Sequence, residues 1–495
     1  MKRTSLCFIF SIAILFSSAQ STAVQEINRL NTPAQALAPL RFLASDELMG
    51  RSTTRSEINI AARYISEQFR SFGLKETPRT ESYMQSFELK MMTPANGGSL
   101  TIGNKAYQIG AELLQGRGAG LQLTAPVIFA GFGTAADLSG LDVKGKIVVV
   151  NMGENDSTKV VVARRLTDAK QKLLQEKGAL ALVERYWQPQ SDWGMLKHYY
   201  LGQRVQIAQD TILPVLFVYD PASELPTVVK NSTNGIINVT GEHLTIINAK
   251  NVMGWVEGTD PQLKNQFVVL SAHYDHIGVS STPMMVDGKL DSIYNGARDN
   301  AIGATAVINA ARYFSQFPAK RSILFICYTG EEMGLLGSKY FAAHPTIELQ
   351  KLVFNLNIDN GGVNDTTQIN VIGLGRTSAD EDMKKACLAY SLTLKGDPAS
   401  EMNLFDRSDN VSLAATGVPA PTYGMGVKQV DESIMRYYHQ LGDEIGNVDL
   451  SYVVKYMKSY ILAARFIADN PAQPKWKPGD KYESAWKELY SDRSN

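Results

Sequence analysis

The spacing of apolar and polar residues follows two different patterns along the chain. Each pattern is typical of a different kind of secondary structure. In "SEINIAARYISEQFRSFGL", apolar residues recur at Ile58, Ala61, Ile65 and Phe69, which is the spacing of an amphipathic helix that a glycine ends. Over residues 250–470, nearly continuous apolar runs such as "QFVVLSA", "RSILFICYT" and "KLVFNLNID" alternate with helical patterns. Such runs are typical of strands buried on both faces. We therefore predict an α/β fold with a mostly parallel central sheet flanked by helices.

A middle segment interrupts this pattern. "APVIFAGFG" and "GKIVVVNMG" predict strands bounded by glycine, and "LTDAKQKLLQEKGA" predicts an amphipathic helix. We predict a small inserted αβ domain at 121–248, between a first part of the main domain at 24–120 and a second part at 249–470. The aromatic segment 186–204 is predicted as a loop or lid, with a packed aromatic hairpin as the alternative. Residues 471–495 are predicted as a C-terminal tail on the surface.

The beginning of the chain has the features of a targeting sequence. A basic start at Lys2 and Arg3 precedes an apolar run from Leu6 to Phe16, and small residues follow. This order is typical of a secretory signal peptide, and the run is too short for a membrane anchor. We predict a signal peptide at 1–23 and a secreted or periplasmic protein with no membrane span in the mature chain.

Charge and cysteine content exclude several classes of protein. Lys and Arg total 49, and Asp and Glu also total 49, so no net field favours a nucleic acid or an anionic membrane. Beyond the predicted signal peptide only Cys327 and Cys387 remain, which excludes a disulfide scaffold. We predict that both are buried free thiols.

Residues of types that commonly bind metal ions follow the predicted strands in the second part of the main domain, at 249–470. They are His273 and Asp275 after "QFVVLSA", Asp299 in "NGARDNAIG", Glu331 and Glu332 after "RSILFICYT", and Asp359 at the end of "KLVFNLNID". Ligands of open α/β sheets bind at the carboxyl ends of the strands, so these side chains should converge on one edge. Imidazole nitrogen and carboxylate oxygen both suit zinc or a similar divalent ion.

The number of candidates suits two ions. One ion needs three protein ligands and an open position, whereas this set, with an acid able to bridge, fits two ions roughly 3.5–4 Å apart that share a hydroxide. Adjacent residues in a turn point in different directions, so Glu332 is predicted as a ligand and Glu331 as the general base. Asp275 is predicted to accept the second N–H of the His273 imidazole and fix its tautomer.

The remaining ligand should be another histidine. His439, in "RYYHQLGDE", lies in a loop after the last strands, whereas His276 is expected to be a hydrogen-bonding neighbour. The other histidines are expected to have structural or surface roles; they are His198, His243 and His344.

These motifs resemble those of a known family. "SAHYDHIG", "GARDNAIGA", "YTGEEMGLLGS", "NIDNGG" and "YYHQLGDEIGNVD" look like the successive motifs of the secreted di-zinc aminopeptidases of peptidase family M28. "LASDELMGRSTTRSEINIAARYI" resembles the family's N-terminal segment, and "LSGLDVKGKIVVVNMG" resembles the protease-associated domain often inserted in its members. The resemblance implies the phosphorylase/hydrolase-like fold of zinc aminopeptidases, with an inserted protease-associated domain.

The resemblance also implies roles for individual residues. The family's terminal zinc ligands match His273, Glu332, Asp359 and His439. Its bridging carboxylate matches Asp299. Glu331 matches the catalytic base, and Tyr438 falls where some members use a tyrosine to polarise the scissile carbonyl. Asn410, in "RSDN", departs from the family, because many relatives have a histidine there.

The expected activity is that of a zinc-dependent aminopeptidase, which hydrolyses N-terminal residues from peptides with a hydroxide bridged by two zinc ions per chain. A carboxypeptidase or an N-acyl amino acid hydrolase on the same scaffold is the alternative, since the pocket and not the metal set selects the substrate end. The complete two-metal set disfavours a monozinc glutaminyl cyclase. A non-catalytic peptide-binding protein is disfavoured because structural zinc sites are usually closed by Cys and His.

Overall fold

The computed structural model describes residues 21–117, 120–207, 213–241, 243–286 and 288–491. Residues 1–20 of the predicted signal peptide lie outside this part of the chain. Two compact units are present: one combines the chain up to Phe87 with the chain from Asn248 onward, and the other is Glu88–Ile247. Across the described residues, every helix is too short or too polar to span a bilayer.

The helices and strands have the following bounds. The α-helices are α1 (21–30), α2 (Pro33–Leu43), α3 (Ile58–Ser71), α4 (Val160–Glu176), α5 (Gln190–Tyr200), α6 (Leu225–Lys230), α7 (Ile302–Gln316), α8 (Leu336–Ala343), α9 (Asp380–Ala389), α10 (Asn410–Ala414), α11 (Glu432–Met435), α12 (Leu450–Asp469) and α13 (Glu483–Leu489). The strands are β1 (Met84–Thr93), β2 (Gly97–Ile102), β3 (Lys105–Gln108), β4 (Leu113–Arg117), β5 (Leu121–Phe129), β6 (Ile147–Asn151), β7 (Ala181–Tyr186), β8 (Arg204–Ile207), β9 (Val215–Tyr219), β10 (Asn234–Thr240), β11 (His243–Val256), β12 (Phe267–His273), β13 (Gly278–Val286), β14 (Lys289–Tyr294), β15 (Ser322–Tyr328), β16 (Leu352–Ile358), β17 (Gln368–Ile372), β18 (Thr393–Lys395) and β19 (Thr422–Met425).

The larger unit contains a mixed sheet with the strand order β18-β17-β19-β16-β12-β15-β11. The central strand β12 pairs in parallel with β15 on one side and with β16 on the other. Two further pairs, β16–β19 and β17–β18, are parallel, whereas β11–β15 and β17–β19 are antiparallel. The predicted α/β fold with a mostly parallel central sheet is confirmed.

Successive residues of the central strands face opposite hydrophobic cores. In β12, Val268, Leu270 and Ala272 belong to the core that contains residues of α2, α3, α7 and α12, whereas Phe267 and Val269 belong to a second core. Every residue of β12, β15 and β16 is buried. Burial on both faces is the physical reason for their continuous apolar sequences.

Local predictions based on apolar spacing are confirmed. Helix α3 buries Ile58, Ile65 and Phe69 on one face. Cys327 in β15 and Cys387 in α9 are buried free thiols.

The smaller unit contains a sheet with the strand order β3-β2-β10-β5-β6-β7-β9-β4. The pairs β5–β6, β6–β7 and β7–β9 are parallel, and the outer strands pair antiparallel. This unit begins at Glu88, whereas the sequence-based boundary lies at residue 121. The difference arises because β2 pairs with β10 and β4 pairs with β9, and such distant pairings leave no periodic signal in short strands.

Two predictions are wrong. The aromatic segment predicted as a loop or hairpin contains helix α5, which buries Trp193, Leu196 and Tyr200. The C-terminal tail is not confined to the surface, because Trp476 is only 2% exposed and its Nε1 donates to the Gly417 oxygen at 3.0 Å. In segment 186–204, exposed aromatic residues such as Tyr199 lie beside buried ones such as Tyr200, so aromatic content alone does not identify the buried face.

Candidate metal centre

The ends of three neighbouring parallel strands bring the predicted ligands to one edge of the sheet. His273 is the last residue of β12, Asp359 directly follows β16, and the turn with the paired glutamates follows β15. His273 lies opposite Tyr328 of β15, and Ala272 lies opposite Ile358 of β16. The three strands therefore end at the same level, as parallel strands with apolar interiors and polar ends should.

Asp299 lies at the centre of the predicted ligand set. Its Oδ1 is 3.3 Å from Nε2 of His273, and its Oδ2 is 3.2 Å from Nε2 of His439. Oδ1 of Asp359 lies 3.4 Å from the same His273 nitrogen, and Oε2 of Glu332 lies 3.2 Å from the same His439 nitrogen. The structure thus arranges these five side chains as two groups around one shared carboxylate.

This donor set fits divalent metal ions. Each group offers one imidazole nitrogen, one oxygen of the shared aspartate and one further carboxylate oxygen, a ligand chemistry typical of catalytic zinc. Two trios have ligand atoms that all lie within 4.8 Å of one another: His273, Asp299 and Asp359, and His276, Asp299 and Glu332. His276 and His439 therefore both border the group that contains Glu332.

The carboxylates control the charge of the two predicted histidine ligands. Burial disfavours the charged form of His439, but hydrogen bonds to Asp299 and Glu332 outweigh it and raise the pKa of His439 to about 10. Burial also opposes charging of His273, yet the nearby Glu331 and Asp299 raise the pKa of His273 well above its usual value. The histidines in turn hold the pKa of Asp299 low despite its burial.

Loading the metal-free protein with zinc at pH 7 should release about two protons. Both histidines are charged at that pH because their pKa values are raised, and an imidazole must lose its proton to bind a metal. The apparent affinity for zinc should therefore rise as the pH is raised from 7 toward 10. Isothermal titration in buffers with different ionisation enthalpies counts the protons, and zinc binding without proton release would contradict these charge states.

A tight turn holds Glu331 beside the ligands. Gly330 has a φ of +71° and its N–H donates to Oγ1 of Thr53 at 3.0 Å. The N–H of Glu331 donates to Oδ1 of Asp275 at 3.2 Å, and the carbonyl of Glu331 accepts from the N–H of Leu335 at 2.9 Å. Burial raises the pKa of the Glu331 carboxyl well above its usual value, which is the direction that suits a general base near neutral pH.

Asp275 makes contacts that differ from the sequence-based prediction. Its Oδ1 lies 3.8 Å from Nδ1 of His273, longer than a hydrogen bond, whereas its backbone oxygen lies 3.2 Å from that nitrogen. The carboxylate accepts instead from the Thr53 hydroxyl at 3.1 Å and from the N–H of Glu331. Its backbone therefore orients the histidine, and its side chain supports the glutamate turn. Burial raises the pKa of Asp275 to about 6.

Tyr438 and His439 form a stacked pair at the edge of the site. Their ring centroids are 4.1 Å apart with an interplanar angle of 21°. His439 has a φ of +55°, an uncommon left-handed conformation for a side chain of this size. Burial, together with Asp299 and Asp359, raises the pKa of Tyr438. The phenol therefore keeps its proton and can donate a hydrogen bond.

Sequence reasoning missed Arg51, a fully buried cation behind the ligands. Its guanidinium donates to four backbone oxygens: Tyr274 at 2.8 Å, Asn295 at 2.6 Å, Gly296 at 3.0 Å and Leu43. The preceding Gly50 has a φ of +67°, and a Cβ there would lie 2.2 Å from the oxygen of Gly278, so glycine is required. The signal in the sequence is the Gly-Arg pair of "LMGR", but nothing in the pattern names its acceptors.

A second missed contact fixes the turn that carries Asp299. The carboxylate of Asp443 accepts from the backbone N–H of Arg298 at 3.0 Å and of Asp299 at 3.2 Å, and from Nη1 of Arg298 at 2.8 Å. The Arg298 guanidinium also lies over the Tyr437 ring, 4.0 Å from its centroid. Asp443 follows His439 by four residues, so one loop both presents the histidine and anchors the shared carboxylate.

Asn410 and three histidines are the remaining residues named from the sequence. Asn410 is buried and donates from Nδ2 to the oxygen of Ala420 at 3.1 Å. His198, His243 and His344 are exposed.

The second part of the chain is similar in sequence to known peptidases. Residues 251–463 match the family model for Peptidase family M28. The chain is 26% identical over 339 residues to Aminopeptidase YwaD of Bacillus subtilis, which covers 66% of this chain and 63% of that protein. It is 26% identical over 247 residues to a probable leucine aminopeptidase 2 of Aspergillus oryzae, covering 46% of each. The chain thus spans less than two thirds of the length of these curated relatives.

A solved structure shares the fold. The aminopeptidase from Aneurinibacillus sp. strain AM-1 matches with a TM-score of 0.54 and 19% identity, covering 92% of this chain and 98% of that one. The region matched by the family model contains the five predicted ligands, Glu331 and Tyr438. Residues 251–463, which contain the whole candidate metal centre, therefore resemble peptidase family M28 in sequence.

Proposed function

We propose that this protein is a zinc-dependent aminopeptidase that uses two zinc ions to hydrolyse N-terminal residues from peptides. One observation carries the proposal: Asp299 faces a histidine with each of its two oxygens, and a further carboxylate completes the group on each side. The family match and the names of the two curated relatives support the same activity.

The proposed ligands divide between the two groups. His273 and Asp359 would hold one ion, His439 and Glu332 would hold the other, and Asp299 would contact both. Bound zinc would polarise the scissile carbonyl and bring the pKa of a water molecule toward neutrality.

The proton transfers are assigned to Glu331. Its carboxylate would take a proton from the attacking water and later deliver it to the leaving amine, and its raised pKa favours holding that proton in between. Asp275 and Thr53 would keep the turn in place through the backbone N–H groups of Glu331 and Gly330. The protonated hydroxyl of Tyr438 would donate to the oxyanion that develops on the carbonyl.

Location and domain identity belong to the same proposal. The basic, apolar and small-residue order at 1–23 supports export to the periplasm or the medium. The unit Glu88–Ile247 is proposed to be a protease-associated domain, supported by "LSGLDVKGKIVVVNMG", which contains strand β6.

A pair of matched peptides tests the activity. Zinc-loaded protein should cleave a short peptide with a free N-terminus and leave its N-acetylated twin intact, and chelation should abolish the cleavage. Cleavage of the acetylated twin would instead indicate a carboxypeptidase or an N-acyl amino acid hydrolase. Failure to cleave either peptide would contradict the proposed activity and favour a binding protein.

A further inference from the structure

His276 is a buried polar side chain that the proposed reaction does not use. It lies three residues after β12 and is 0% exposed. Its Nδ1 lies 2.6 Å from Oε1 of Glu332, and among the described residues its Nε2 has no hydrogen-bond partner. A carboxylate oxygen can only accept, so the proton of this hydrogen bond belongs to Nδ1.

The surroundings of His276 hold its ring in one position. Its backbone N–H donates to the Arg51 oxygen at 3.1 Å. On one side lies Gly296, where a Cβ would come within 2.5 Å of Cδ2 of the imidazole, so any larger residue would push the ring away. On the other side lies the His439 ring, with centroids 5.7 Å apart and an interplanar angle of 73°. The ring therefore has neighbours beyond its hydrogen-bond partner Glu332.

The two oxygens of Glu332 have different partners. Oε1 accepts from His276, whereas Oε2 lies 3.2 Å from Nε2 of His439. That His439 nitrogen is also 3.2 Å from Oδ2 of Asp299. Only Oε2 therefore converges with the imidazole of His439 and the shared carboxylate, while Oε1 is turned toward His276.

We propose that His276 is a positioning residue that restricts Glu332 to binding a metal ion through one oxygen. This inference rests on the proposed function, because it assumes that Glu332 is a ligand. A carboxylate free at both oxygens can bind a metal ion through both. With Oε1 engaged, the ion keeps one more position open for substrate, which is the requirement of a catalytic site.

The close approach of His276 to Asp299 and Glu332 also allows another arrangement, in which His276 itself binds the ion. The hydrogen bond at 2.6 Å argues against it, because the nitrogen nearest the carboxylates is the one that carries the proton. Nε2 of His439 instead lies 3.2 Å from one oxygen of each carboxylate, so it faces the space that the two carboxylates share. The experiment below separates the two arrangements.

The test compares His276→Asn with His276→Leu in protein loaded with Co²⁺. The amide nitrogen of asparagine can stand where Nδ1 stands and keep the donor, whereas leucine has similar bulk without one. We expect His276→Leu to weaken binding of one of the two Co²⁺ ions by about 10- to 100-fold. We also expect it to lower the visible absorption per bound ion, because Oε1 of Glu332 would then be free to bind and an added ligand weakens these bands. His276→Asn should retain both ions and the wild-type spectrum.

Three results would overturn the proposal. Unchanged affinity and spectrum in His276→Leu would show that the hydrogen bond has no effect on the metal. Equal loss of one ion in both variants, with an intact fold, would make His276 a ligand. If the leucine variant does not fold, X-ray absorption of the wild-type protein decides. The proposal requires one imidazole ligand per metal ion, and a third imidazole shared between the two ions would make His276 a ligand.

Metal binding and peptide cleavage by the wild-type protein distinguish failure of this inference from failure of the proposed function. Absence of Co²⁺ and Zn²⁺ binding by the wild type would remove the metal site itself, and both proposals with it. Wild-type protein that binds two ions and cleaves the free peptide would support the proposed function whatever the His276 variants do.

Discussion

Replacement of Glu331 by glutamine should lower kcat by roughly 10²- to 10⁴-fold, the usual contribution of a general base. Glutamine keeps the size of the side chain but cannot accept a proton from water. Burial already raises the pKa of the Glu331 carboxyl, so a neutral amide at this position should fold without penalty. Glu331 belongs to neither trio of closely spaced ligand atoms, so zinc content should stay near that of the wild type.

The matched control is Glu332→Gln in the adjacent position. Glu332 contacts His276 and His439, so this change should reduce zinc content together with activity. Steady-state kinetics and metal analysis therefore distinguish the two variants. Glu331→Gln should keep its zinc and lose turnover, whereas Glu332→Gln should lose part of both. A Glu331→Gln protein with wild-type kcat would remove Glu331 from the mechanism.

The convergence of the proposed ligands at one edge of the sheet could be predicted, because several of them stand where an apolar run ends. The apolar runs of β12, β15 and β16 end at His273, Thr329 and Asp359, and the carboxyl ends of parallel strands meet at one edge. The prediction of metal binding then follows from residue type, since histidine and carboxylate side chains directly after buried strands have few structural uses. The strand pairings that the structure contains are those that this reasoning assumes.

The supporting contacts could not be predicted in the same way. Arg51 reaches backbone oxygens more than 200 residues away along the chain, and every residue carries such an oxygen. The carboxylate of Asp443 binds backbone N–H groups for which the sequence likewise has no marker. For Asp275, the residue type indicated a partner for His273, but whether its side chain or its carbonyl makes the contact depends on a turn geometry that periodicity does not encode.

Replacement of Arg51 by methionine should lower the free energy of unfolding by about 4 kcal/mol or more. Burial lowers the pKa of Arg51 to about 10, so the guanidinium is still charged at pH 7, and hydrogen bonds to charged groups contribute roughly 1.5–3 kcal/mol each. Methionine fills the apolar part of the space but leaves the oxygens of Tyr274, Asn295 and Leu43 without the guanidinium donor. The oxygen of Gly296 loses one of two donors, because it also accepts from the N–H of Ala301 at 3.1 Å. Lysine keeps the charge without the planar fork and should recover only part of the loss.

Denaturant unfolding of the metal-free protein measures this effect, with Arg55→Met as the control. Arg55 lies in the same segment, but its side chain is 42% exposed and pairs with Glu57. Its replacement should change the free energy of unfolding by less than about 0.5 kcal/mol. Equal stability of the Arg51→Met and wild-type proteins would contradict the part assigned to the four hydrogen bonds.

Repeating the measurement with zinc shows whether Arg51 also positions the ligands. Its acceptors Tyr274 and Gly296 flank the segments that carry His273 and Asp299. A ligand that binds only the folded state stabilises it in proportion to the logarithm of its affinity. If Arg51→Met moves the ligands, zinc should stabilise the variant less than the wild type, and the difference between them should grow when zinc is added. An unchanged difference would mean that Arg51 supports the fold alone.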